Sequence, residues 1–190
     1  MFIATYILQM IILTIPIVML KYYNYMVTFS EVPDEISLCI NITGCPIRCT
    51  DCHSKFLWEN IGKEITDECL EKIINENNDV TCICIMGGDS DIKDILRIVT
   101  FIKNKFPSKK ICWYSGKDIQ INNISQIYKD IFSIIDYFKC GPYIKEYGGL
   151  DSPNTNQNFY KIMKTNGTNL LVNITRKFSH ENKDLYKEDR

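Results

Sequence analysis

From residue 36 onward, apolar runs of strand length alternate with stretches whose apolar residues fall at helical spacing, and few folds accommodate that alternation. Ile36 to Ile42 is a short apolar run. Thr66-Asp67-Glu68 offers a cap to a helix carrying Cys69, Leu70, Ile73 and Ile74. Val80 to Met86 is continuous and apolar, as a fully buried strand would be, and Gly87-Gly88 stops it. Asp89-Ser90-Asp91 leads into Ile92, Ile95, Leu96, Val99 and Ile102, one face of a second helix with Asp89 or Ser90 as its expected cap. Beyond the Pro107-Ser108 turn, Lys110 to Tyr114 reads as a strand closed by Ser115-Gly116. Ile124 to Phe132 reads as a weaker helix and Ile134 to Lys139 as a strand ending at Cys140-Gly141-Pro142. Phe159 to Met163 and Leu170 to Ile174 read as edge strands. The pattern predicts an α/β fold whose mainly parallel sheet is open or partly rolled into a barrel.

Between the first run and the first helix lies Gly44-Cys45-Pro46-Ile47-Arg48-Cys49-Thr50-Asp51-Cys52-His53, a C-x3-C-x2-C pattern. Three thiolates so close in sequence can converge on one metal centre. A [4Fe–4S] cluster normally takes four cysteines, so three would leave one iron open to a substrate or cofactor. Two plainer readings stand beside this one. A structural zinc site could recruit His53 as fourth ligand, although zinc loops usually use paired C-x2-C units and no second pair follows. Cysteines are also common as small buried hydrophobes, the reading that suits Cys39, Cys69, Cys82, Cys84, Cys112 and Cys140 in their apolar runs.

Composition narrows the class. The chain has 190 residues, 45% of them apolar and 24% charged, enough for one domain with a real core. A formal net charge of −1 gives no electrostatic case for nucleic acid. Nine cysteines, an odd count without secretory spacing, point to a reducing, cytoplasmic setting rather than a disulfide framework. Residues 1–20 form an uncharged, mostly apolar leader that just reaches membrane-spanning length. It reads as an over-extended start, with Met19 or Met26 as the true one, as a membrane anchor, or as a buried helix. It lacks the basic residues that open a signal peptide. A domain is expected over residues 21–178, with a charged, frayed tail over 179–190.

The cysteine loop, Gly87-Gly88-Asp89 and Tyr114-Ser115-Gly116 each follow an expected strand. Parallel α/β sheets bind ligands at the carboxyl ends of their strands, so three unusual loops should gather at one edge. Glycines there let backbone approach a ligand closely, and Asp89 adds a carboxylate suited to an ammonium group.

With these residues in view, the chain resembles the radical S-adenosylmethionine superfamily. Within it the chain resembles the anaerobic ribonucleoside-triphosphate reductase activating proteins. The closer markers are Ile42-Thr43-Gly44-Cys45, Met86-Gly87-Gly88-Asp89, Trp113-Tyr114-Ser115-Gly116 and Ser152-Pro153-Asn154-Thr155-Asn156-Gln157, in order across about residues 20 to 163. The resemblance implies a partial, open β/α barrel. It implies that Cys45, Cys49 and Cys52 bind three irons of a [4Fe–4S] cluster whose fourth iron chelates S-adenosylmethionine. Asp51, Cys52 and His53 would lie along that cofactor, and Gly87, Gly88 and Asp89 would receive its methionine end. One-electron cleavage of the sulfonium would give a 5′-deoxyadenosyl radical, which takes a hydrogen from a glycine of the reductase. A reductant such as flavodoxin would supply the electron, and a truncated barrel would leave its open side for the partner to cover. The chain departs from the pattern at Asp89-Ser90, where many members carry Glu-Pro, and at Asp51 and His53, where relatives often carry an aromatic residue. Trp113 and Tyr114 would line the cavity or join the core. Asn156 and Gln157 would fix a loop through backbone hydrogen bonds, the preferred reading, or bind the partner.

Overall fold

The computed structural model describes residues 19–165 and 168–179. The apolar leader before Met19 and the tail beyond Ser179 lie outside them. Eight strands form one sheet in the order β3-β1-β2-β4-β5-β6-β7-β8. They are β1 (Lys21–Thr28), β2 (Ser37–Ile42), β3 (Lys63–Glu64), β4 (Cys82–Met86), β5 (Lys110–Tyr114), β6 (Tyr137–Cys140), β7 (Asn158–Thr165) and β8 (Thr168–Asn173). The helices are α1 (Asp67–Glu76), α2 (Ile92–Lys105) and α3 (Gln126–Ile134). The sheet is open and mixed. Pairing is parallel at its centre, β2–β4–β5–β6, and antiparallel toward both edges. This is an α/β architecture of the partial-barrel kind, as expected. The parallel part is where helices connect the strands, because a parallel crossover needs a long return path.

The helices form where the pattern placed them. Thr66 caps α1, its hydroxyl accepting from the Cys69 amide at 3.1 Å. The cap of α2 falls elsewhere than expected. Asp91, not Asp89 or Ser90, accepts from the Lys93 and Asp94 amides, at 3.0 and 3.1 Å. An N-cap must bond the amides two and three residues on, and only Asp91 stands at that distance from the first turn.

Strand alternation gives the sheet two different faces. Leu38, Ile40, Ile42, Ile83, Ile85, Ile111, Trp113 and Phe138 pack toward the helices, with Ile95, Ile98, Val99 and Ile102 of α2. The other face carries Cys39, Cys82, Cys84, Cys112, Tyr137 and Phe159. Cys39, Cys84 and Cys112 stand in register on adjacent strands, so three small thiols fill one layer. Burial on both faces explains why the central strands read as unbroken apolar runs. Leu20 also belongs to the core, and its amide donates to a buried Asp94 oxygen at 2.8 Å, so the packed domain begins before Lys21.

Among the described residues, no helix is long and apolar enough to cross a membrane.

Candidate metal centre

The cysteine loop leaves β2 at the carboxyl end of the sheet, and its stem is tied on both sides. The Thr43 amide donates to the Lys21 carbonyl at 2.8 Å and its hydroxyl to the Ile61 carbonyl at 2.7 Å. The Gly44 and Cys45 amides donate to the carbonyls of Glu59 and Leu57, at 3.1 and 3.0 Å. Gly44 takes a φ of 72°, a left-handed turn natural for glycine. Past this stem, the Cys52 amide donates to the Cys49 carbonyl at 3.0 Å, and the Ser54 amide points to Cys52 Sγ at 3.3 Å. Cys45, Cys49 and Cys52 are all free thiols and half-buried. Asp51 and His53 are exposed, and the His53 ring meets Tyr143 edge-on, with centroids 5.0 Å apart. Among the described residues, no three Cys, His, Asp or Glu side chains converge as a ligand set. The structure therefore puts the three thiols on one loop without drawing them around a point.

The second loop follows β4. Gly87 and Gly88 have φ of 105° and 91°, which other residues adopt only under strain. Gly87 is bonded on both sides: its amide donates to the Tyr114 carbonyl at 2.9 Å, and its carbonyl accepts from Trp113 Nε1 at 2.8 Å. A Cβ at Gly88 would sit 2.4 Å from Ile95 Cδ1, so close packing of α2 already requires a glycine there. Asp89 is buried. Its Oδ1 accepts from the Ser115 hydroxyl at 2.6 Å and its Oδ2 from the Gly116 amide at 2.7 Å. The carboxylate that sequence assigns to an ammonium group thus first serves to join the ends of β4 and β5. Each oxygen keeps a further lone pair for a ligand.

The third loop closes the circuit. A Cβ on Gly116 would lie 2.8 Å from Ile47 Cγ1, so the tip of the cysteine loop rests on Gly116. Ile47 sits between Cys45 and Cys49, and Gly116 is the residue whose amide Asp89 holds. The three loops do meet at one edge.

Below them opens a cavity of about 960 Å³, whose walls include His53, Tyr114, Lys139, Tyr143, Leu150 and Gln157. Of the two β5 aromatics, Trp113 joins the helix-side core against Tyr128 and Phe138, while Tyr114 lines the cavity. Asn156 Nδ2 donates to the Pro142 carbonyl at 2.9 Å and Gln157 Nε2 to the Gly141 carbonyl at 3.4 Å, fixing the Gly141-Pro142 turn as expected. Sequence reasoning missed Lys139 and Tyr143. A lysine inside the apolar run Tyr137–Cys140 was the available signal.

Residues 36–162 match a family model described as a 4Fe-4S single cluster domain. The chain belongs to that family. The match covers well over half of the chain and takes in all three loops. No curated protein matches the chain. The 4Fe-4S single cluster domain seen here is of the radical S-adenosylmethionine type, and a [4Fe–4S] cluster is the group its family implies. The donor chemistry on the loop suits such a group: three free thiols on one short loop. Within the same loop, the Trp58 indole N–H is buried with no acceptor among the described residues.

Proposed function

We propose that this protein is a radical S-adenosylmethionine activating enzyme. Its substrate would be a glycine of a glycyl-radical protein, anaerobic ribonucleoside-triphosphate reductase. One observation carries the reading: the cysteine loop rests through Ile47 on Gly116, which Asp89 binds, so a cluster loop and a Gly-Gly-Asp strand end meet at one edge of the sheet. A cluster-binding scaffold alone has no use for that second element. The ordered markers Met86-Gly87-Gly88-Asp89, Trp113-Tyr114-Ser115-Gly116 and Ser152 to Gln157 support the reductase branch.

In this reading Cys45, Cys49 and Cys52 hold three irons of the cluster. When bound, cluster and S-adenosylmethionine together supply one-electron cleavage of the sulfonium, the chemistry the protein itself cannot do. The chain's own residues position and shield. Gly87 and Gly88 present backbone without a Cβ, Asp89 offers its spare lone pairs to the cofactor's ammonium, and His53 with Tyr143 forms an aromatic edge for its adenine. The cavity is open to one side, where a protein partner's glycine loop would enter and exclude water. A flavodoxin-like donor would reduce the centre.

The test is anaerobic reconstitution with iron and sulfide, reduction, and addition of S-adenosylmethionine. The expected result is a reduced [4Fe–4S] EPR signal that changes on cofactor addition, formation of 5′-deoxyadenosine, and a glycyl-radical signal on added reductase. Tightly bound zinc, or a cluster indifferent to S-adenosylmethionine, would defeat the reading. Cleavage with no radical on the reductase would move the substrate elsewhere.

A further inference from the structure

Lys139 is 7% exposed, at the carboxyl end of β6, and its side chain lines the cavity beneath the cysteine loop. Its ammonium donates to the Gly141 carbonyl at 2.7 Å and lies 6.0 Å from the Tyr114 ring centroid. An ammonium has three protons to give, and this one gives a single hydrogen bond to a protein acceptor. Among the described residues no carboxylate forms an ion pair with it, although Glu31 and Asp151 share its cavity and Asp89, Cys49 and Cys140 are within electrostatic reach. Burial pushes its pKa down to about 8, and those three groups only partly offset the push. Keeping a charge buried and so poorly partnered is costly unless an anion completes it. The surroundings say where that anion sits. Cys49 is on the loop above, and the Ser115 amide donates to the Lys139 carbonyl at 2.8 Å, tying the lysine's backbone to the loop that carries Gly116.

We propose that Lys139 is the counter-charge of the metal centre: its ammonium stabilises the negative charge the centre gains on reduction and so raises its reduction potential. The inference rests on the cluster reading above and identifies Lys139 as a positioning residue that touches no reacting atom. A thiolate-held iron–sulfur cluster is anionic and becomes more so when a reductant such as dithionite adds one electron. Charge near it is among the factors that set its potential. A fixed cation therefore favours the reduced state.

The experiment is EPR-monitored redox titration of the reconstituted full chain, without S-adenosylmethionine, for wild type, Lys139→Met, Lys139→Gln and Lys139→Arg. Both neutral variants are expected to keep the cluster with a midpoint shifted to more negative potential. Gln, which keeps a donor for Gly141, should shift as Met does, and Arg should return toward wild type. Cluster retained only by wild type and Arg would also support a charge requirement. An unchanged midpoint in the neutral variants would overturn the proposal. If S-adenosylmethionine bound them more weakly at that same midpoint, the ammonium would belong to the cofactor's carboxylate. Cluster loss in all three variants would overturn it too, leaving a packing role. A wild-type chain that takes up no cluster defeats this inference together with the function. A wild-type chain with a cluster but no cleavage defeats the function alone.

Discussion

Two lysines point to the same face of the sheet from neighbouring strands, at opposite ends. Lys110 opens β5 and Lys139 nearly closes β6. At the amino end, Glu35 accepts from Lys110, from Thr81 Oγ1 at 2.7 Å and from the Tyr137 hydroxyl at 2.9 Å, a network complete in itself. The Glu35 hydrogen bond raises the Lys110 pKa against its burial, whereas burial without a paired carboxylate lowers that of Lys139. Between the two lies the layer of Cys39, Cys84 and Cys112, whose thiols are pushed up, Cys39 first by its hydrogen bond to Cys84 and then by burial, Cys84 and Cys112 mainly by burial, keeping them neutral and inert. One end of the interior is satisfied by the protein. The other holds the Lys139 ammonium, which no carboxylate among the described residues pairs with, close to the place where three loops meet. A closed end gives stability; an unsatisfied end is what a ligand completes.

The largest way to break this contrast is at the open end. Cys49→Ala should abolish cluster binding and all cleavage of S-adenosylmethionine, because two thiolates cannot hold the cluster. The half-buried thiol contributes little packing, so the metal-free chain should keep its urea midpoint, within about 1 kcal/mol. A full-occupancy [4Fe–4S] signal in this variant would remove Cys49 from the ligand set.

Asp89→Ala tests whether the loops are joined as described. It leaves the Gly116 amide and the Ser115 hydroxyl without their acceptor in a buried position, which should cost about 3 kcal/mol of stability. Urea unfolding would show this, and cluster uptake should also fall as Gly116 shifts under Ile47. Unchanged stability would mean that the loops are held otherwise.

At the closed end the effect is smaller and depends on pH. Burial opposes ionisation of Glu35, but hydrogen bonds from Lys110, Thr81 and Tyr137 outweigh it and hold the pKa below the usual value. A lowered folded-state pKa stabilises the fold above the unfolded value of about 4.3 and loses that contribution as pH falls through the folded value. Glu35→Gln should therefore cost about 1–2 kcal/mol at pH 7, discounted because Lys110 is half exposed. Its difference from wild type should narrow below pH 4. A difference that stays constant from pH 7 to pH 3 would show that the network is not ionic.

Much of this architecture is legible in the sequence. The strands β2, β4 and β5 and the helices α1 and α2 announce themselves because each is buried in one consistent pattern. β1 does not, because Tyr23, Tyr25, Met26 and Val27 are exposed on both sides of the strand and no period survives. The β7–β8 pair was visible as two strands, but both were expected at an edge and only β8 is: β7 is paired on one side to β6 and on the other to β8. The three loops could be found because glycine and cysteine have few other uses at strand ends. What Asp89 does could not be read: Gly-Gly-Asp-Ser-Asp offers several caps, and only packing decides that Asp91 caps while Asp89 turns to Ser115 and Gly116. Lys139 stood out as a lysine in an apolar run, but its burial could not be read, because that depends on which face of a four-residue strand is covered.

The smallest expected effect concerns an exposed cation at the open end. Arg48 lies inside the cysteine loop, exposed, with its guanidinium 3.8 Å from Glu59. Such a pair is worth a few tenths of a kcal/mol at most, so Arg48→Ala should leave the urea midpoint unchanged within about 0.5 kcal/mol. Its backbone has a φ of 51°, where a Cβ costs roughly 1 kcal/mol, so Arg48→Gly trades relief of that strain against a more flexible unfolded chain. The two substitutions should differ slightly, in favour of glycine. Neither should move the cluster's midpoint, because water screens an exposed guanidinium far better than a buried ammonium. If Arg48→Ala lowers the potential as much as Lys139→Gln does, burial is not what distinguishes the two cations, and the counter-charge would be a property of the whole loop edge rather than of Lys139.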